Sequence, residues 1–274
     1  MSVNSKVIHT EANTGAAEVV QPEVNTGAAE VVQPEVNTGA AADTRTAASA
    51  GAAIEIRHLC KKYGKKTIFE ELSLKAYEGS CVGILGENGC GKSTFLAALS
   101  GTLPGVRGEF LYQGSDLFKE RKLRERLVGY VPQGTPLLEE LTALDNLRLW
   151  YPGRRELKAE LTDGVLAMLG IGDFLKVPVR KMSGGMKKRL AIGCAMASHP
   201  RILLLDEPSA ALDLICKERI INYLEAFKAG GGIIFLTTHD IQELPVCDRL
   251  FILKDQKLAP YIYDGNYHRL VGSL

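Results

Sequence analysis

The run Gly86-Glu87-Asn88-Gly89-Cys90-Gly91-Lys92-Ser93-Thr94 has the residue types and spacing to hold a polyphosphate. It follows the short apolar stretch Cys81 to Leu85 and leads into the helix-favouring Phe95-Leu96-Ala97-Ala98-Leu99, so it reads as strand, glycine-rich loop, helix. Glycines allow the backbone to wrap closely around an anion with its N–H groups pointing inward, and the helix that follows turns its positive dipole end to the same place. Lys92 is placed to reach the β- and γ-phosphates of a nucleoside triphosphate, and the Ser93 hydroxyl to bind Mg²⁺. A second chemical constellation lies downstream. Ile202-Leu203-Leu204-Leu205-Asp206-Glu207 sets two carboxylates at the end of an apolar strand, where ligands of an α/β sheet gather. Asp206 suits the Mg²⁺ shell, and Glu207 suits polarising the water that attacks a γ-phosphate.

These residues need a sheet to position them. The runs Arg201 to Asp206 and Gly232 to Thr237 are almost continuously apolar, as parallel strands covered on both faces are. A helix over about Ile215 to Lys228 completes a βαβ unit between them. The alternating Ile54-Glu55-Ile56-Arg57 and the stretch Thr67 to Tyr77 suggest an antiparallel β-subdomain. From Thr142 to Lys176 the pattern is mainly helical, with Leu144, Leu147, Leu149, Val165, Leu166, Leu169 and Phe174 as apolar faces. The last strand-like run is Leu250 to Lys254. The expected fold is α/β: a P-loop NTPase core with a mostly parallel sheet, an N-terminal antiparallel β-subdomain and a helical subdomain at about 134–185.

Residues 1–53 contain no Phe, Trp or Tyr and carry a twelve-residue repeat, Glu11 to Pro22 and Glu23 to Pro34, with a partial copy from Glu35. That composition predicts a disordered tail ahead of a folded domain at 54–274. The chain has 274 residues and a net charge of +1, which gives no dominant attraction to nucleic acid or to an anionic membrane. No apolar stretch approaches the roughly 20 residues of a membrane span, and no secretory signal opens the chain. The six cysteines include no C-x-x-C pair, which points to reduced thiols in a cytosolic compartment.

The run Met182-Ser183-Gly184-Gly185-Met186-Lys187-Lys188-Arg189 could open a helix whose N–H groups bind a phosphate oxygen. With it, residues 54–265 closely resemble the nucleotide-binding subunit of an ATP-binding cassette transporter. The resemblance implies that Ser183, Gly184 and Gly185 contact the ATP held by a second subunit, homologous or identical. Met182 stands where the family usually has Leu, and Met186 where it usually has Gln; the second change removes a side-chain amide from that surface. The resemblance further implies that Gln133 senses Mg²⁺ and the attacking water, that His239 contacts the γ-phosphate, that Asp213 contacts the opposite protomer, and that Tyr63 stacks on adenine. Ala211 falls where Gly is common. Cys90 lies within the phosphate loop, so its alkylation is expected to block ATP binding if the thiol is accessible.

With Lys92, Ser93, Gln133, Asp206, Glu207 and His239 all present, the resemblance implies a competent ATPase using ATP and Mg²⁺. Its partners would be membrane-spanning permease subunits and a second cassette, with the chain peripheral at the cytoplasmic face of the membrane and no nucleic acid bound. Leu141 to Leu147 and Ser183 to Lys187 lean toward exporters of drugs, lipids or polysaccharides. The competing class is a soluble cassette ATPase, for example one serving iron–sulfur assembly. No sustained heptads separate Lys92 from Ser183, which argues against the DNA-repair type.

Overall fold

The computed structural model of this chain describes residues 51–274 apart from 135, 152 and 211. The repeats expected to be a tail, up to residue 50, and Ala211 therefore lie outside the described residues.

Two strands come first, β1 (Ile54–Tyr63) and β2 (Lys66–Ala76). The buried β3 (Cys81–Leu85) runs into the glycine loop and then α1 (Lys92–Ser100). After α1 come β4 (Val106–Tyr112), β5 (Ser115–Asp116), α2 (Arg121–Leu127) and β6 (Val128–Val131). The helical stretch is divided into α3 (Ala143–Trp150), α4 (Arg154–Thr162) and α5 (Val165–Met168), followed by two short 3₁₀ turns, Ile171–Phe174 and Val179–Lys181. The breaks coincide with Gly153, Gly164 and Gly170, the last with a positive φ of 62°, a conformation that glycine adopts without steric cost. Next are α6 (Gly184–Ala195), β7 (Ile202–Asp206), α7 (Leu214–Ala229) and β8 (Ile233–Thr237). The chain continues through β9 (Arg249–Lys254), β10 (Lys257–Tyr261) and α8 (Tyr267–Ser273).

Two sheets result. β2-β1-β4-β5 is antiparallel; the larger sheet has the order β10-β9-β3-β8-β7-β6. In the larger sheet every neighbouring pair is parallel except β10 with β9. The central strands are buried on both faces. Leu203, Leu205, Ile234 and Leu236 enter a core shared with α3, α6 and α7, while Ile202, Leu204, Ile233 and Phe235 enter a second core with α1 and the antiparallel sheet. That is why these strands read as continuous apolar runs rather than as alternating ones.

Three expectations need amendment. The antiparallel sheet draws its third and fourth strands, β4 and β5, from beyond α1, where no strand was expected. Gly108 sits in β4 with φ 115°, and a Cβ there would lie 2.7 Å from the carbonyl oxygens of Arg57 and His58 on β1, so the glycine permits the approach that pairs the strands. The strands also continue past Lys254: β10 contains Pro260, tolerated because this is an edge strand. Finally, Leu149 does not face a core. It is 61% exposed, beside Trp150 at 58%.

Candidate functional site

Strands β3, β8, β7 and β6 are consecutive neighbours and all parallel. Their carboxyl ends therefore share one edge of the sheet, and each delivers one of the predicted segments there: the glycine loop after β3, His239 after β8, Asp206-Glu207 at the end of β7 and Gln133 after β6. This is the edge at which an open α/β sheet binds ligands.

Glu207 is at the centre of the group. The Gln133 amide Nε2 donates to Glu207 Oε2 at 2.9 Å, and His239 Nε2 lies 3.4 Å from Glu207 Oε1. The Glu207 backbone has φ 47°, a left-handed conformation that costs a non-glycine residue about 1–3 kcal/mol and recurs at functional sites. It is held by β8: the Glu207 N–H donates to Thr237 O at 3.0 Å, with Thr237 Oγ1 also 3.2 Å away. The same Thr237 hydroxyl donates to Asp206 Oδ1 at 2.6 Å. Asp206 is buried, and among the described residues nothing donates to its Oδ2. Burial, and then the charge of the Lys92 ammonium, holds the His239 imidazole below the ordinary histidine range, against the opposing pull of Glu207.

In the glycine loop, Gly86, Gly89 and Gly91 all have positive φ. A Cβ on Gly86 would come within 2.5 Å of Leu253 O, and one on Gly91 within 2.8 Å of Ile68 Cγ2, so the backbone is confined to a path that glycine alone takes easily. Lys92, 5% exposed, donates from Nζ to Gly86 O at 2.7 Å and to Glu87 O at 3.0 Å, lying across the mouth of its own loop. Ser93 is exposed in the first turn of α1 and Thr94 partly buried. A cleft of about 330 Å³ opens beside the loop between Lys66, Ile68, Asn88, Gly89 and Cys90. Tyr63, 48% exposed at the end of β1, has the Lys61 ammonium 4.5 Å from its ring centre. The Cys90 thiol is half-buried, and burial pushes its pKa up despite the Lys92 charge. Slow alkylation near neutral pH follows, since the thiolate is the reactive form.

Ser183, Gly184, Gly185 and Asp213 form a different group. Ser183 caps α6, its Oγ accepting from Met186 N at 3.2 Å, and Asp213 caps α7, accepting from Cys216 N at 2.8 Å. Leu212 and Cys216 pack on the two glycines; a Cβ on Gly185 would meet Cys216 Sγ at 2.6 Å. Ser183 and Gly184 face solvent. None of the hydrogen bonds of these four residues reaches Lys92, Gln133, Glu207 or His239.

Several participants were not anticipated. Thr237 orients both carboxylate residues. Lys188 is buried and reaches the backbone of Gln133 and Asp206. Burial lowers the pKa of its amine, against the pull of the Asp206, Glu207 and Glu243 carboxylates. Glu243 and Tyr267 line a cleft of about 330 Å³ with Glu207 and His239. The only sequence signal for Thr237 is a polar residue ending an apolar strand; Lys188 and Tyr267 have none, because they arrive from distant elements.

The donor set Ser93 hydroxyl, Asp206 carboxylate and Gln133 amide oxygen consists of hard oxygen atoms, which fits Mg²⁺. A glycine-rich strand-to-helix loop with a buried lysine, on the same sheet edge as a bracketed carboxylate, defines a P-loop nucleotide-binding fold. The chain belongs to the ABC transporter family, whose model matches residues 69–210. It is 35% identical over 222 residues to the Nod factor export ATP-binding protein I of Sinorhizobium fredii, covering 79% of this chain and 64% of that protein. It is 30% identical over 214 residues to the lantibiotic transport ATP-binding protein SrtF of Streptococcus pyogenes, covering 77% and 92%. The match thus spans under two thirds of the first relative's length. A solved dimeric ATP-binding cassette in a post-hydrolysis state with ADP and Pi superposes with a TM-score of 0.66 at 27% identity, covering 76% of this chain and 97% of that one.

Proposed function

We propose that this chain is the ATP-binding and ATP-hydrolysing subunit of an ABC exporter, closing on ATP against a second cassette and driving separate membrane-spanning subunits from the cytoplasmic face of the membrane. The observation that carries the hydrolytic reading is Glu207, strained in backbone and bracketed by Gln133 and His239. In this reading 54–274 is the nucleotide-binding domain, about 134–185 is its helical subdomain, and 1–53 is a tail. The export direction is supported by the relatives named for Nod factor export and lantibiotic transport.

Tyr63 offers the open face of its ring to adenine. The N–H groups from Gly86 through Thr94 and the Lys92 ammonium bind the phosphates, with Glu87, Asn88 and Cys90 supplying backbone to the loop. Ser93, Asp206 and Gln133 would hold Mg²⁺, which when bound offsets phosphate charge. Glu207 accepts the proton of the attacking water. Gln133 orients that carboxylate, and His239 donates to a γ-phosphate oxygen. Ser183, Gly184, Gly185 and Asp213 meet the nucleotide and loops of the second cassette.

Glu207→Gln keeps the shape of the side chain and removes the base. Turnover is expected to fall by about 10²–10⁴-fold, the usual contribution of a positioned general base. ATP binding should persist, and the full chain should elute as a dimer with ATP in size-exclusion chromatography. Wild-type turnover in this variant removes Glu207 from its role.

A further inference from the structure

Lys188 lies on the face of α6 that turns toward the parallel sheet and is only 6% exposed. Its ammonium donates to three backbone carbonyls: Pro132 O at 3.2 Å, Gln133 O at 3.3 Å and Asp206 O at 3.4 Å. A lysine ammonium has three N–H donors and no acceptor, so its capacity is spent on these contacts. Among the described residues no carboxylate oxygen lies within ion-pairing distance of it. A buried cation satisfied only by carbonyls is an expensive way to fill space, and the places it joins are specific. Two acceptors lie on the segment that leaves β6 and carries Gln133. The third is on the last residue of β7, immediately before Glu207. The side chains of Gln133 and Glu207 then meet at 2.9 Å. The two segments are therefore tied twice, once through Lys188 and once through the pair it flanks.

α6 itself begins at the exposed Ser183 and Gly184. Among the described residues no other side chain of α6 hydrogen-bonds to the 132–133 segment or to Asp206; Lys187 pairs with Glu139, and Arg189 donates to Leu169 O. We propose that Lys188 is a positioning residue for ATP hydrolysis: it holds the Gln133 and Asp206 backbones at the spacing that brings the Gln133 amide onto Glu207, and it makes that spacing depend on the placement of α6. This rests on the hydrolytic reading above. A second cassette's nucleotide docking on the α6 N-terminus would thereby adjust the Gln133–Glu207 pair of the chain that supplies α6.

The test compares the full-length wild type with Lys188→Met, which fills the space without donors, and Lys188→Arg, which retains them. Steady-state ATPase is measured with ATP and Mg²⁺, binding with the fluorescent analogue TNP-ATP, and stability by thermal melting. For Lys188→Met, kcat is expected to fall about ten- to a hundredfold, the scale of misplacing a reacting group by an ångström. KM and TNP-ATP affinity should stay within about twofold, which separates a lost positioning contact from lost substrate binding. Lys188→Arg should recover most of kcat. Wild-type kcat in Lys188→Met overturns the proposal, as does parallel loss of kcat, TNP-ATP binding and melting temperature, which marks a purely structural role. If Lys188→Met does not fold, Lys188→Leu, also without donors, decides by the same criteria. A wild type that binds TNP-ATP but does not turn over overturns the hydrolytic reading and this role together; wild-type turnover with an insensitive Lys188→Met overturns this role alone.

Discussion

Helices α1 and α6 both start on glycine-rich turns, and their first turns are built in opposite ways. At α1 the residue before the helix is Gly91, with φ 116° and no side-chain cap, and the first helical residue is the buried Lys92. At α6 the preceding residue is Ser183 in extended conformation, its hydroxyl accepting from Met186 N, with Ser183 and Gly184 open to solvent. The first four N–H groups of a helix have no intrahelical partner. At α1 no side chain takes them, and a loop and a lysine close around the place where an anion would sit. At α6 a serine takes one, with Gly184 exposed and Gly185 buried against Cys216. The first arrangement can bind a polyphosphate within one chain. In the function proposed above, the second completes a site whose phosphate is brought by a second cassette.

The largest way to break this contrast is to remove the lysine. Lys92→Ala is expected to weaken TNP-ATP binding by the unassembled chain about ten- to a hundredfold, since hydrogen bonds to charged groups are worth about 1.5–3 kcal/mol. Unchanged affinity in a fluorescence titration would mean that the loop backbone alone carries the anion.

Gly184→Asp tests the other end. A Cβ there meets only Leu212 Cδ2, at 3.8 Å, and an acidic residue in the first turn favours the helix by about 0.3–1 kcal/mol, so folding should be preserved. Binding of TNP-ATP by the single chain should be unaltered. Dimerisation with ATP in the Glu207→Gln background should weaken by roughly 1–4 kcal/mol, the repulsion of unit charges about 4 Å apart between water and a protein surface. An undiminished dimer in analytical ultracentrifugation would detach α6 from the second nucleotide.

A smaller effect follows from the cap. Ser183→Ala should cost about 1 kcal/mol in chemical unfolding, and a null result would show that the α6 turn is held by packing of Leu212 and Cys216 instead.

The smallest effect is in pH. The His239 imidazole sits below its ordinary value of 6.5 in the folded chain, so the unfolded chain takes up the proton first as the solution is acidified. Its contribution to stability is complete above about pH 6.5 and is lost as pH falls through the folded value. The stability difference between wild type and His239→Gln should therefore shift against the wild type between about pH 7 and pH 5, the range in which histidine titrates. A pH-independent difference would contradict the burial beside Lys92.

Much of the core was legible in the sequence. The four segments at the strand ends follow apolar runs or a glycine-lysine loop, and buried parallel strands write themselves as such runs. The structure brings Glu207, Gln133 and His239 into one group. β4 was not legible because Gly108 and the charged Arg107 and Glu109 interrupt its pattern; its strand character comes from pairing with β1 some 50 residues earlier. β10 was hidden by Pro260. Lys188 stands in the sequence between Lys187 and Arg189 with nothing local to single it out, and only the packing of α6 onto the sheet makes it buried.

The sequence by itself determined the local pieces: a loop whose glycines can take left-handed backbone, a serine and an aspartate able to cap helices, and apolar strands ending in carboxylates. Those depend on interactions among residues close in the chain. Only the tertiary structure decided the order β3-β8-β7-β6 and, with it, that Gln133 and Glu207, 74 residues apart, meet at 2.9 Å while Ser183 and Asp213 stay outside that group. The side-by-side placement of parallel strands is set by how helices cover both faces of the sheet, a balance of burial over the whole domain that no single motif contains.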